Sequence, residues 1–246
     1  MKLWVVVPAY NEAPGITATL RALAAQVDRD FTLVVVDNNS TDGTADVVRA
    51  FGQLDAHVIT EARKGTGAAA DTGMRYAIAC GATHLARTDA DCLPEPDWTA
   101  RVRAAFADGL ELIAGWLLPR TDDVPMPWWR RWLLIGAVEL GAGFGKLRPG
   151  NRGPEYLGPY VMAAGCNMAI SAELYQRAGG FPRTAIEELH EDRALVNAVR
   201  RLTRGYGLRR DVKVRGSTRR VHAWGLRRTL AWYADHRYRP SVVDIR

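Results

Sequence analysis

The first half of the sequence alternates short apolar runs with stretches of helical periodicity. The runs are LWVVVP, FTLVVVD, AHVIT, HLARTD and LELIAGW, and the helix-like stretches lie at 14–26, 41–51, 66–80 and 97–107. Within the runs, Val5–Val7 and Leu33–Val36 do not alternate apolar with polar residues. Unbroken apolar runs are typical of parallel strands that helices cover on both faces. The order therefore predicts an α/β fold with a doubly wound, mostly parallel sheet.

Polar side chains directly follow three of these predicted strands. The first strand leads to Pro8, Tyr10 and Glu12, the second to Asp37, and the fourth to the pair Asp89 and Asp91. Ligands of an open α/β sheet bind outside the carboxyl ends of its strands. We therefore expect a binding site at this edge of the sheet.

The pair Asp89 and Asp91 places two negative charges one residue apart. Like charges this close disfavour ionisation unless a cation or hydrogen-bond donors neutralise them. Mg²⁺ and Mn²⁺ prefer carboxylate oxygens together with the oxygens of a bound diphosphate. The pair therefore indicates a metal that joins the protein to a nucleotide, and an exposed turn between strand and helix is the alternative.

The composition suits one globular domain. The 246 residues are 48% hydrophobic, and the longest apolar candidate, WLLIGAVELGAGF, is interrupted by Glu139, so we expect no membrane-spanning helix. The N-terminus lacks the long apolar core of a signal peptide. Three scattered cysteines indicate neither a disulfide framework nor a zinc site. These features predict a cytoplasmic protein.

Positive charge is concentrated at the C-terminal end. Residues 200–246 contain 14 Lys or Arg and 3 Asp or Glu, although the whole chain carries only +6. Such a basic segment can bind nucleotide phosphates or an anionic membrane. The alternative is that it forms only a solvated basic surface. The segment WWRRW at 128–132 suits a membrane interface, the wall of an acceptor groove or a helix packed on the core. No aromatic platform accompanies a known nucleic-acid module, so nucleic acid is not an expected partner.

Six motifs, in this order, resemble glycosyltransferase family 2, whose members are inverting enzymes of the GT-A fold. They are VVVPAYNE from Val5, VVVDNNSTDGT from Val34, KGTGAAADTGMRYA from Lys64, DADC from Asp89, GCNMAI from Gly165 and HEDRALVNAVRR from His190. The resemblance implies one GT-A domain over 1–246, with a nucleotide-binding half at 1–116 and an acceptor-binding half with a basic tail at 117–246. It also implies a nucleoside diphosphate sugar as donor and Mn²⁺ or Mg²⁺ as cofactor.

The resemblance implies roles for individual positions on the donor side. Those implied to bind the nucleotide sugar are Pro8, Tyr10, Glu12, Asp37, Lys64, Gly67, Asp89, Gly165, Asn167, Arg219 and Arg220. Arg219 and Arg220 match the family loosely, and their guanidinium groups suit a diphosphate. Asp91 is implied to be the principal metal ligand, with Asp89 on the ribose or in the metal's outer shell. His222 is an open candidate for a further metal ligand.

On the acceptor side, the resemblance points to Glu191 and Asp192. It implies that Asp192 is the general base and that Glu191 orients the acceptor, whereas two acids that favour a helix N-terminus are the alternative. Inverting transfer needs one carboxylate to deprotonate the acceptor as it attacks the anomeric carbon. We place Trp116, near the end of the fifth predicted strand, on the acceptor side as well.

The expected function is transfer of one sugar to a lipid or small-molecule hydroxyl, with possible contact at the inner face of a membrane. One rival is a non-catalytic nucleotide-sugar binding protein of the same fold. Another is an NAD(P)-dependent oxidoreductase, because KGTGAAAD fits Gly-x-Gly-x-x-Ala and Asp89 lies about 20 residues further on. Where many relatives have Ala-Arg-Asn, this chain has Ala-Asp-Thr at Ala70–Thr72, so the base of the donor is left open.

Overall fold

The computed structural model describes residues 1–183 and 191–229. Its strands are β1 (Leu3–Ala9), β2 (Phe31–Asp37), β3 (Ala56–Thr60), β4 (His84–Thr88), β5 (Leu93–Pro94), β6 (Leu112–Pro119), β7 (Asn167–Ser171) and β8 (Tyr206–Gly216). In the described part of the chain they form one sheet in the order β3-β2-β1-β4-β7-β6-β8-β5. His190 of the HEDR motif and the tail beyond Thr229 lie outside the described residues.

The helices follow the strands in alternation through the first half. They are α1 (Ile16–Ala24), α2 (Thr44–Arg49), α3 (Thr66–Ala79), α4 (Trp98–Ala107), α5 (Trp128–Gly145), α6 (Ala172–Arg177), α7 (Glu191–Arg200) and α8 (Arg219–Trp224). The first four fall inside the stretches predicted from the sequence. None of the described helices combines the length and the hydropathy that crossing a bilayer requires.

The sheet is parallel in its N-terminal half and mixed beyond it. β1 pairs in parallel with β2 and β4, and β2 pairs in parallel with β3. β7 lies between β4 and β6 and is antiparallel to both, whereas β6 and β8 are parallel. The predicted α/β architecture is confirmed, and β7, which comes later in the sequence than both of its neighbours, is inserted between β4 and β6.

The core has two layers because both faces of the sheet are covered. Val5 and Val7 of β1 pack on one face with Leu20 of α1. Val6 points to the other face, where it packs with Met74 of α3. Two-sided burial explains why the strand runs are continuously apolar. It also leaves the carboxyl ends of the strands as the polar edge of the fold.

Asn167 opens β7 and joins three neighbouring elements. Its side chain is fully buried, and its Oδ1 accepts a hydrogen bond from Trp98 Nε1 at 2.9 Å. Its Nδ2 donates to the carbonyl oxygens of Trp116 and Val212, each at 3.0 Å. A Cβ at Gly115 would collide with this amide. Both amide hydrogens bind the sheet and the amide oxygen binds α4. The contact with the sugar donor that was expected for Asn167 is therefore left out of the function proposed below.

Replacing Asn167 by Leu is expected to lower the free energy of unfolding by about 2–4 kcal/mol, because an indole N–H and two carbonyls lose buried partners. Guanidinium denaturation followed by tryptophan fluorescence measures the change. Gln53→Leu, at an exposed position before β3, is the control and should change stability by less than about 0.5 kcal/mol. Equal stability of the Asn167→Leu and unsubstituted proteins would contradict this role.

Candidate active site

The loops that follow β1 and β2 are fastened to each other. The backbone N–H of Asn11 donates to Ser40 Oγ at 2.9 Å, and the N–H of Glu12 donates to Thr44 Oγ1 at 2.8 Å. Side chains that bind backbone groups in this way fix the shape of a loop. The predicted residue Glu12 is thereby held in a buried position at the end of β1.

Asn38 fixes the loop that carries Lys64. Its Nδ2 donates to the carbonyl oxygen of Arg63 at 2.8 Å, and its Oδ1 accepts from the N–H of Gly65 at 2.8 Å. The Lys64 ammonium then lies 4.9 Å from the centre of the Tyr10 ring. The predicted residues Tyr10 and Lys64 are thus brought together, and Asn38, which sequence reasoning missed, accounts for the position of Lys64.

Three further predicted donor-site residues lie at or beside these strand ends. Pro8 and Asp37 end neighbouring strands, and Asp37 Oδ1 accepts from the N–H of Ser40 at 3.3 Å. Gly67 lies in the first turn of α3, where a Cβ would come within 2.5 Å of the Pro182 carbonyl oxygen and 3.2 Å of Glu191 Cβ. A small residue at Gly67 therefore lets α3 approach the acceptor-side acids.

Asp89 and Asp91 follow β4, and each carboxylate meets an arginine. Asp89 Oδ1 accepts from Arg87 Nε at 3.1 Å, and Asp91 Oδ2 accepts from Arg219 Nη2 at 3.0 Å. Arg219 Nη2 also donates to Glu12 Oε1 at 2.8 Å. Burial raises the pKa of Asp89; the Arg87 charge opposes this rise and the Asp91 charge adds to it. The predicted acid pair thus converges with Glu12, and α8 supplies the guanidinium that joins them.

Arg87 is a second site residue that sequence reasoning missed. Its side chain is 1% exposed, and its Nη2 lies 3.5 Å from Glu191 Oε1. Its guanidinium packs 5.1 Å from the centre of the Phe181 ring, and a Cβ at Gly165 would lie 3.0 Å from Nη1. Burial disfavours the charge, yet Asp89 and Glu191 raise the pKa of Arg87 above its ordinary value. The available signal was a charged residue inside the apolar run HLARTD, since a buried charge requires a partner.

Asp192 lies in the first turn of α7, close to Gly165. Burial and then the charge of Glu191 raise the pKa of Asp192 to about 6, although hydrogen bonds from the backbone of Arg193 and Gly165 oppose the rise. Burial and the charge of Asp192 raise the pKa of Tyr160 to about 12. A carboxyl group with a pKa near neutrality is suited to taking up a proton during a reaction. The predicted Gly165, Glu191 and Asp192 therefore lie together.

Two further predicted residues, Arg220 and His222, lie on α8. Arg220 follows Arg219 in α8, and its carbonyl oxygen accepts from Thr229 Oγ1 at 3.3 Å. His222 is exposed in the last turn of α8. Across residues 1–183 and 191–229, no three His, Cys, Asp or Glu side chains are arranged to hold a metal. His222 therefore does not form such a group with the paired aspartates.

Trp116 lies on β6, beside the irregularity in its pairing with β8. The guanidinium of Arg210 lies 5.6 Å from the centre of its ring, and the side chain is half-buried. Its backbone carbonyl is one of the two acceptors bound by Asn167. The acceptor-side role of Trp116 stays a prediction.

A profile of one protein family matches most of the chain that carries this geometry. The profile of Glycosyl transferase family 2 matches residues 4–177. The chain belongs to glycosyltransferase family 2. The matched region runs from β1 to the end of α6, so it contains Asp89 and Asp91 and ends before Glu191.

Relatives of the chain carry glycosyltransferase names. An uncharacterized glycosyltransferase of Mycobacterium tuberculosis is 30% identical over 178 residues, which are 72% of this chain and 74% of the relative. Glycosyltransferase AglE of Haloferax volcanii is 34% identical over 45% of this chain and 38% of its own length. The undecaprenyl-phosphate 4-deoxy-4-formamido-L-arabinose transferase of Pseudomonas aeruginosa is 28% identical over 56% of this chain and 42% of its own length. The matched region is thus under half of the last two proteins.

Solved structures of glycosyltransferases share the fold. The mannosyltransferase PcManGT from Pyrobaculum calidifontis, in complex with GDP-Man and Mn²⁺, has a TM-score of 0.65 at 25% identity and covers 94% of this chain and 60% of its own. S. aureus TarS 1-349 in complex with UDP-GlcNAc has a TM-score of 0.62 at 17% identity, over 88% of this chain and 58% of its own. The predicted GT-A fold is confirmed.

Arg87→Met is expected to lower the free energy of unfolding at pH 7 by about 3 kcal/mol, because it leaves the partly buried carboxylates of Asp89 and Glu191 without a compensating charge. Burial raises the pKa of Asp89, and the Arg87 charge opposes this rise, so removal of the guanidinium should place the folded-state pKa of Asp89 further above its unfolded value. Such a group favours the folded state below the unfolded pKa, and this stability is lost as the pH rises through the folded pKa. The deficit should therefore shrink between pH 7 and pH 4.

Urea denaturation at several pH values measures this deficit. Arg101→Met, in an exposed pair with Asp97, is the matched control and should cost less than about 1 kcal/mol. A deficit for Arg87→Met that stayed constant with pH would argue against the proposed charge compensation.

Proposed function

We propose that the protein is a metal-dependent, inverting glycosyltransferase that moves one sugar from a nucleoside diphosphate sugar to an acceptor. The observation that carries this proposal is the arrangement of Asp89 and Asp91 on one side of Arg87 and of Glu191 and Asp192 on the other. Membership of glycosyltransferase family 2 supports it. So do the nucleotide sugars in the solved structures of PcManGT and TarS.

The loops after β1 and β2 and the loop of Lys64 would bind the donor nucleotide. Tyr10 offers an aromatic face, Asp37 a carboxylate and Lys64 a cation at the carboxyl ends of neighbouring strands. Arg219 and Arg220 add positive charge on the side of the acids, where guanidinium groups would bind diphosphate oxygens. This division of roles follows from which strand or helix end carries each side chain.

Asp91 and Asp89 would hold the divalent cation. They are hard oxygen ligands, and the described residues provide no third His, Cys or carboxylate arranged to close a metal site. This donor set fits Mg²⁺ or Mn²⁺, which keep coordination positions for phosphate oxygens and water. The Mn²⁺ bound with GDP-Man in PcManGT supports the assignment. When bound, the cation would stabilise the charge of the departing diphosphate.

Asp192 would accept the proton of the attacking hydroxyl. With a pKa raised to about 6, its carboxyl group is mostly ionised at pH 7 and more basic than an ordinary aspartate. Glu191 is held by Arg87 and would orient the acceptor. Gly165 lies against the guanidinium of Arg87 and keeps that volume free of a side chain.

We infer that the acceptor is a lipid or a small molecule with a free hydroxyl, and that transfer occurs on the cytoplasmic side, at the inner face of a membrane where the acceptor is a lipid. The name of the Pseudomonas aeruginosa relative includes undecaprenyl phosphate, a lipid. The basic residues near the site support an anionic acceptor environment.

The site gives no support to the alternative function, an NAD(P)-dependent oxidoreductase. Gly67 packs against the Pro182 carbonyl and Glu191, so this glycine serves contact between protein elements. A non-catalytic binding protein would bind the donor and leave the base position without function. The acidic residues on both sides of Arg87 favour catalysis over binding alone.

Asp91→Asn is expected to remove the metal-assisted part of donor binding, because a neutral amide is a weaker ligand than a carboxylate. Thermal shift measurements with UDP, GDP and their sugars, with and without Mn²⁺, detect this change, since a ligand that binds only the folded state raises Tm. Asp97→Asn is the matched control, because Asp97 follows Asp91 by six residues and forms an exposed ion pair with Arg101. A Mn²⁺-dependent shift of the same size in the Asp91→Asn and unsubstituted proteins would refute the metal assignment.

Asp192→Asn is expected to lower turnover about 100-fold or more and to leave donor affinity nearly unchanged, since it removes proton transfer alone. In the unsubstituted enzyme, turnover should rise with pH through a midpoint at about 6, where Asp192 loses its proton. Steady-state kinetics from pH 5 to 8 and donor titrations measure both. Full turnover in Asp192→Asn would show that another group is the base.

A further inference from the structure

Every residue of α5 is exposed or partly exposed. The helix has 18 residues, about 27 Å at 1.5 Å per residue, and none of them is buried. Of the eleven large apolar side chains exposed among the described residues, seven lie between Trp128 and Leu147. Trp132 and Leu140 are 66% and 67% exposed. Contiguous apolar surface of this kind marks an interaction site.

Several of these side chains line one surface. They are Trp128, Trp129, Trp132, Leu133 and Leu140, which neighbour one another at spacings of three or four residues or lie beside each other along the helix. Leu226, just after α8, lines the same surface and makes it a shallow, open groove of about 700 Å³. Residues from two distant parts of the chain therefore contribute to one apolar surface.

The beginning of α5 is basic. Arg130 and Arg131 lie in its first turn, and the guanidinium of Arg130 lies 5.1 Å from the centre of the Trp129 ring. The segment 128–152 contains five basic residues and a single acid, Glu139. That acid is paired with the guanidinium of Arg210 at 2.8 Å. The surface therefore combines apolar side chains with net positive charge.

Basic side chains also lie beyond the helix itself. Lys146 and Arg152 are exposed after its last turn, and Arg227 and Arg228 are exposed next to Leu226. Positive charge thus surrounds the apolar face from both contributing segments. A complementary partner must offer apolar contact and negative charge on one surface.

We propose that the α5 face docks on an anionic membrane surface, with the helix lying in the plane of the headgroups. Tryptophan is enriched where hydrocarbon meets headgroups, and each Lys or Arg near an anionic surface adds attraction. A lipid bilayer with anionic headgroups meets both requirements. A second copy of this chain fits less well, because a two-fold contact would oppose the basic rims of the two copies.

The end of α5 adjoins the catalytic carboxylate of the proposed function. A Cβ at Gly145 would lie 3.0 Å from the Tyr160 ring, and Tyr160 is close enough to Asp192 to feel its charge. A second groove, of about 500 Å³, lies between residues 148–151, which follow α5, and α7, and its lining includes Arg148 and Arg193. A membrane acceptor with an anionic headgroup would therefore reach Asp192 from the docked face. This step rests on the proposed function, whereas docking itself does not.

Co-sedimentation of the full chain with vesicles tests the docking. Binding is expected to vesicles of phosphatidylcholine with phosphatidylglycerol, to weaken at high salt, and to be weak with phosphatidylcholine alone. The double variant Trp132→Ser and Leu140→Ser should bind at least about tenfold more weakly, because it removes apolar surface from the contact. Arg130→Gln with Arg131→Gln should also lose about tenfold at low salt.

Matched controls separate docking from general surface effects. Val27→Ser removes an apolar side chain that is 72% exposed and lies far from α5 in the sequence. Arg21→Gln removes an exposed positive charge from α1. Both should bind vesicles as the unsubstituted protein does, and circular dichroism should show all variants folded. Asp192→Asn should also bind vesicles normally. Full transfer activity in this variant would refute the assignment of Asp192 as the base and leave the docking proposal standing.

Three outcomes would overturn the docking proposal. One is no sedimentation with the anionic vesicles even at low salt. Another is unchanged binding by the Trp132→Ser and Leu140→Ser protein. The third is a dimer in analytical ultracentrifugation, without lipid, that the same substitutions dissociate, because it would show that a second copy covers the α5 face.

Discussion

One buried guanidinium holds the two sides of the candidate active site together. Arg87 lies inside the sheet and contacts the carboxylates of Asp89 and Glu191, which are 102 positions apart in the sequence. A charge removed from water is tolerated only where opposite charges and hydrogen bonds compensate it. This interaction therefore links the start of α7 to the end of β4, and with it the proposed base to the proposed metal ligands.

The same cluster gives its acids different properties. Asp192 lies one residue beyond the ion-paired Glu191, and burial raises its pKa to about 6. Glu191 and Asp89 share the charge of Arg87. Different surroundings give neighbouring carboxyl groups different pKa values, and this difference decides which group acts as acid or base in a site. In the proposed mechanism Asp192 therefore moves a proton, while Arg87 holds Asp89 and Glu191 in place.

The second half of the chain completes the site by returning to the sheet. β7 inserts between β4 and β6, and its Asn167 amide joins α4 to β6 and β8. β8 then leads directly into α8, whose Arg219 contacts Asp91. The same half exposes α5, the apolar face proposed to dock on a membrane. The segment that starts at β6 therefore supplies both the contact of Arg219 with Asp91 and the proposed docking surface.

Local pattern was sufficient to predict the parallel half of the fold and the strand ends that carry Asp37, Asp89 and Asp91. Continuous apolar runs specify strands buried on two faces, and parallel strands place their carboxyl ends at one edge. The order of the motifs was also sufficient to indicate the family. Asn38 and Arg87 were missed because a buried polar side chain gains its meaning from partners that the local sequence does not contain.

The sequence by itself thus determined the alternation of strands and helices, the edge where the acids gather and the resemblance to glycosyltransferase family 2. Only the tertiary structure showed that Arg87 bridges Asp89 and Glu191, that Asn167 serves the interior of the sheet and that α5 is left exposed. Periodicity depends on neighbours a few residues apart, whereas charge compensation and burial depend on which distant elements pack together. The insertion of β7 between β4 and β6 sets those long-range contacts, and no local pattern specifies it.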